Sequence, residues 1–144
     1  MASRDLPAPP LVALAGWLVP GSGYWLIGQR SRGLTIGITI IVLFFLGVLI
    51  AGVRCVEAPD MSGPGSFPSR VLQRPWFLGQ ALAGPIGVGS AYASTVAAKN
   101  PLYQNVQSKS RVAEIGTLYT AVAGMLNLLA IIDSAHRAGN NGHR

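Results

Sequence analysis

Residues 34–53 read LTIGITIIVLFFLGVLIAGV, with no Asp, Glu, Lys or Arg among them. The β-branched content would suit a strand in water. In hydrocarbon, however, a lone strand leaves its backbone N–H and C=O groups without partners, whereas a helix satisfies them internally. About twenty helical residues rise ~30 Å, the thickness of a bilayer core. The stretch therefore predicts a membrane-spanning helix, and the chain around it repeats the pattern. No charged residue occurs in 6–29, 33–53, 75–98 or 115–132, and these windows hold more than half of the 144 residues. Only 11% of the chain is charged, against roughly 25% in a soluble domain. A body this small cannot hide so much uncharged sequence from water. The expected fold is an all-α integral membrane protein, a single membrane domain over 1–144. It has about four hydrophobic helical segments: 9–29, broken at Pro20–Gly23, then 33–53, 75–98 and 115–133. A Gly/Pro/Ser-rich polar loop, 54–74, and a polar tail, 134–144, complete it. The same composition excludes a soluble enzyme, a secreted disulfide scaffold and a disordered tail. No signal cleavage is expected, because the apolar run continues past Ala13 and Ala15 through Trp17.

The net charge of +6 invites a nucleic-acid reading, which fails on distribution. Arg30, Arg32, Arg54, Arg74, Lys99, Arg111 and Arg137 flank the apolar windows instead of forming one stripe. Flanking cations of this kind anchor helices at lipid headgroups. Membrane lipids, and no nucleic acid, are the expected partners. With a hairpin as first segment, the two sides of the membrane carry six and five cations; with a crossing segment, five and six. The positive-inside rule therefore gives no orientation. Cys55 is the one cysteine and forms no internal disulfide.

The first window is interrupted by Pro20-Gly21-Ser22-Gly23. Proline removes a helix donor and glycine favours non-helical dihedrals. The halves 11–19 and 24–29 are each too short to span. The segment either kinks and crosses, or enters, turns and leaves on one side. Gly21 and Gly23 permit the turn, Tyr24 and Trp25 suit the membrane interface, and Gly28 suits a close helix approach. Arg30 and Arg32 reach lipid phosphates or another anion. Ten helical residues from Pro20 to Arg30 rise ~15 Å, which puts the break near mid-bilayer. The fourth helix, through Asn127, is its expected cover.

The run PGSGYWLIGQRSRG, from Pro20 to Gly33, resembles a signature of small uncharacterised bacterial membrane proteins. That signature is Pro-Gly-x-Gly-aromatic-aromatic-x-x-Gly-x-Arg-x-Arg-Gly, and the family is itself similar to the two-transmembrane "TM-two" domain. Residues 126–133, LNLLAIID, look like the close of that domain, where an apolar helix ends in an Asp. The two pieces lie about eighty residues apart, cover about a third of the chain, and lack the domain's His before the aromatic pair. The resemblance implies a broken helix in a membrane, with the bacterial cytoplasmic membrane as location, and no catalytic residue.

Small residues recur every fourth position at Gly79, Ala83, Gly87, Ala91 and Thr95, and again at Gly116, Thr120 and Gly124. Asn127 shares the latter face. Such faces let helix backbones approach closely in lipid, so the third and fourth segments are expected to pair, with Pro85 bending the third. Glu114 and Asp133 close the last window and are expected to form helix-end ion pairs with Arg111 and Arg137. His136 and His143 sit in the tail without metal-ligand spacing, and no nucleophile elbow occurs. No catalytic residue, metal or cofactor is expected. The leading function is a non-enzymatic multi-pass membrane protein that acts through helix–helix packing. It would be a scaffold, accessory or regulatory subunit, as a homo-oligomer or within a larger membrane complex. The alternative is a small transport or channel subunit using the broken first helix, with Asn127, Thr120 and Gln80 as the polar groups available to line a path.

Overall fold

The computed structural model describes residues 7–52, 75–99 and 110–141. The expected polar loop 54–74, with Cys55, lies outside these residues. The described elements are helices: α1 (Pro9–Leu18), α2 (Ser22–Leu26), α3 (Arg30–Ala51), α4 (Pro75–Ala81), α5 (Pro85–Lys99) and α6 (Ser110–Asn141).

Among the described helices, α3 and α6 are long and apolar enough to cross a membrane. They pack antiparallel. Gly47 and Ala51 of α3 meet Gly116, while Ile36 and Ile40 line a groove with Leu126 and Ala130. The buried positions of α3 are Gly33, Gly37, Ile40, Phe44, Gly47 and Ala51. This alternation of four and three residues keeps one seam against a partner helix. A Cβ at Gly47 would lie 2.9 Å from the Gly116 carbonyl oxygen, so the two backbones run nearly in contact. The expected pairing of Gly116 with the third segment is thereby corrected, because its face looks at α3.

The first segment is a hairpin. Pro9 and Pro10 open α1, where their missing N–H groups cost no helical bond. The helix stops at Leu18, and Gly21 takes the left-handed conformation at φ 85° as the N-cap of α2. The carbonyls of Pro20 and Gly21 occupy the space that side chains at Gly37 and Gly33 would need. Pro9 lies beside Gly139 and Gly16 beside Ile131, so α1 runs antiparallel to α6. The chain then returns to begin α3 at Arg30, at the end of the bundle where α6 finishes. Pro20 is level with Gly37, seven residues into α3, or ~10 Å. The break is therefore level with a point a third of the way along the 22-residue α3 rather than with its middle. Its cover comes from the glycines of α3 and from α6, where Ser134 meets Gly23 and Asn127 lines the same cleft.

The third segment is not one helix bent at Pro85. It is broken by Leu82-Ala83-Gly84, with Gly84 at φ 85° and Pro85 opening α5. With 7 and 15 residues, neither piece has the ~20 needed to span. Gly79 lies against Ala121 and Gly124, and Leu82 against Asn127, so α4 runs in the direction of α6. Gly87 faces Gln80 and Ala81, which turns α5 back over α4. The two breaks meet: Trp17 Nε1 donates to the Ala81 carbonyl at 3.3 Å, and the Trp17 carbonyl fills the space beside Gly84. A broken segment followed by a long helix thus occurs twice, the second copy inverted relative to the first. Among the described residues two helices are of spanning length, and the 75–98 segment does not supply a third.

The interior is small and polar. Among the described residues, seven of the eleven buried hydrophobic side chains are alanines, and Gln80, Ser94, Thr120, Asn127 and Ser134 are buried with them. No leucine is buried among the described residues, whereas Leu49 is 77% and Leu129 62% exposed.

Candidate functional site

One polar cluster joins the two ends of the described chain. The Tyr24 hydroxyl donates to Asp133 Oδ2 at 2.7 Å, and Arg137 Nε donates to the same oxygen at 2.8 Å. Gly23 makes this possible. A Cβ there would strike Ser134, so its absence lets α2 lie on α6 and buries Tyr24 to 3% exposure. Tyr24 is thus buried in the core, while Trp25 is half-exposed and covers Gly33. Gly28 has open space around it and φ +84°, so it serves the turn into α3 rather than a close approach. Arg30 and Arg32 are exposed on the first turn of α3, with Arg32 donating to Gln29 Oε1 at 3.2 Å. Asp133 pairs with Arg137 two turns before the end of α6, which continues to Asn141. Glu114 is exposed near the other end, and the side chain of Arg111 lies outside the described residues.

Below Tyr24 and Asp133 a groove of about 340 Å³ opens between α3 and α6. Thr35, Ile36, Thr39 and Ile40 form one wall, with Leu126, Leu129 and Ala130 opposite. The hydroxyls of Thr35 and Thr39 donate to the carbonyls of Ser31 and Thr35, at 3.1 and 2.8 Å. Their donors are thereby spent within α3.

A second polar cluster holds the broken third segment. Asn127 Nδ2 donates to the Leu82 carbonyl at 2.9 Å, and Gln80 Nε2 donates to Thr120 Oγ1 at 2.9 Å. The break at Leu82 frees a buried carbonyl that needs a donor, and Asn127 supplies it. Asn127 therefore bonds to the second break as well as lining the cleft at the first. Its Oδ1 is buried without a partner. With Gly16, Gly21 and Gly23 it lines a cleft at the first break that is too tight to admit a water. Gly79 and Ala83 pack on Gly124, as expected of the small faces, whereas Gly87 looks back at Gln80. Ala91 is buried in one apolar cluster with Phe44 and Ala83.

A sequence profile spanning residues 11–143 matches this chain from α1 to beyond α6. The chain belongs to DUF6677, a family of unknown function. No curated protein and no solved structure matches it. In this DUF6677 member the Tyr24 hydroxyl and the Gln80 and Asn127 amides bond between helical segments, while Asp133 and Arg137 pair within α6. No group of three His, Cys, Asp or Glu side chains suited to a metal occurs among the described residues. Sequence reading missed Gly37, Gly47 and Ser134 as contact residues, along with the break before Pro85. A Gly-Pro pair inside an apolar window was the available signal: the residue before proline avoids helical dihedrals, and proline favours a helix's first position.

Proposed function

We propose that this DUF6677 chain is a non-enzymatic, multi-pass integral membrane protein of the bacterial cytoplasmic membrane. It acts through helix–helix packing as a scaffold, accessory or regulatory subunit, in a homo-oligomer or a larger complex. The observation that carries this reading is the inverted distribution of side chains. Alanine, glycine and amides fill most of the interior, while leucines, Met125 and five isoleucines among the described residues face outward. In water this arrangement forfeits the hydrophobic term, since burial of large apolar side chains is what stabilises a soluble core. In lipid it is the favourable one, because small faces permit close backbones and large apolar groups meet acyl chains. The test is extraction of membranes from cells expressing the full chain. Retention in the pellet after alkaline carbonate is expected, and release would overturn the reading.

A second reading, a transport or channel subunit, is favoured by the meeting of two oppositely directed breaks beside the buried Asn127. Broken segments of this kind form midplane binding sites in transporters. Selective flux through liposomes, abolished by Asn127→Leu, would replace the scaffold reading.

A further inference from the structure

We propose that the groove between α3 and α6 holds one anionic phospholipid, an acyl chain along its apolar floor and the phosphate on Arg137 and Arg32. The inference rests on the membrane reading. The floor is formed by Ile36, Ile40, Leu126 and Leu129, and from Asp133 to Leu126 it runs seven residues, ~10 Å. The threonine hydroxyls on its wall are turned to their own backbone, which removes competing donors from the path of a chain.

The head of the groove is basic. Arg32 lies one turn before Thr35 and Ile36 on α3, and Arg137 one turn after Asp133 on α6, so both stand over the same end. These two arginines outnumber the one carboxylate that lines the groove, Asp133. Asp133 takes Arg137 by Nε, and the terminal nitrogens of that guanidinium have no partner among the described residues. Those two N–H groups match a phosphate bidentately. Tyr24 fixes the same carboxylate oxygen, so Asp133 and Tyr24 are positioning residues for Arg137. The excess of positive charge selects an anionic headgroup over a zwitterionic one.

The experiment uses the full chain, purified from membranes in a maltoside detergent and stripped of lipid. Thermal stability and native mass spectra are recorded with phosphatidylglycerol, phosphatidylcholine or inorganic phosphate. Phosphatidylglycerol should bind at one per chain and raise the melting temperature, and the other two should not. Arg32→Gln and Arg137→Gln should each weaken it about fivefold, the factor for a cation contact worth ~1 kcal/mol. Thr39→Trp fills the groove without touching the Tyr24–Asp133–Arg137 cluster. It should abolish lipid retention at unchanged stability in detergent, and it carries the test if Arg137→Gln fails to fold. Equal stabilisation by phosphatidylcholine, or reproduction of the effect by inorganic phosphate, would overturn the inference. So would a dimer that Thr39→Trp dissociates. Release of the chain by alkali would remove the membrane reading and this inference together, whereas a retained chain without a phosphatidylglycerol preference removes the inference alone.

Discussion

Gly124→Ala isolates the contact between the broken third segment and α6. In the middle of an ordinary helix this change stabilises by about 1 kcal/mol, because alanine has the higher helix propensity. At Gly124 the added Cβ would fall on the Gly79 carbonyl oxygen and 3.1 Å from the Ala83 nitrogen. Both are backbone atoms, so α4 must withdraw as a unit. Overpacking of this kind costs about 1–3 kcal/mol. Withdrawal also strains the Gln80–Thr120 and Asn127–Leu82 hydrogen bonds, each worth ~0.6 kcal/mol in lipid. After the propensity gain is subtracted, a net loss of about 1–3 kcal/mol remains. The control is Gly89→Ala on α5, where the Cβ meets open space and only the propensity gain operates. Melting of the detergent-solubilised proteins, followed by circular dichroism, should move in opposite directions for the two variants. If Gly124→Ala melts with Gly89→Ala, at or above the parent, α4 does not approach α6 and the packing argument fails.

Three further outcomes follow from the same geometry. Gly21→Ala and Gly28→Ala both place a side chain in the left-handed region, at about 1–2 kcal/mol. Gly21→Ala should melt well below Gly28→Ala, because only Gly21 also abuts the Gly33 carbonyl oxygen; equal melting would refute the hairpin's docking on α3. Replacing Gly79 and Ala121 by cysteine, with Cys55→Ser, should give a spontaneous disulfide, since a Cβ at Gly79 lies 3.2 Å from that of Ala121; a fully reduced pair on non-reducing gels would deny the contact. Topology reporters fused at Ser66 and Asn105 should lie on one side of the membrane and a C-terminal reporter on the other. The three-span arrangement puts Asn105 opposite both.

The sequence by itself determined the helical class, the unbroken apolar windows that became α3 and the middle of α6, and the break at Pro20–Gly21. Each follows from local chemistry: absence of charge over a bilayer's length, proline's missing donor, and glycine's left-handed φ. The break before Pro85 was written in the same local terms, and its Gly-Pro pair could have been read. Partner choice was not local. Spacing identifies Gly116, Gly124 and Asn127 as one face of α6, but a 32-residue helix is long enough for that face to serve several neighbours in succession. Gly116 meets α3, Gly124 meets α4, and Asn127 donates to the carbonyl freed at Leu82. Nor does the run from Pro20 to Gly33 indicate that Tyr24 will be buried, because its hydrogen bond to Asp133 depends on Gly23 meeting Ser134, more than a hundred residues away. Small faces state only that some backbone comes close, and which one is decided by how two inverted broken segments share the α3–α6 pair.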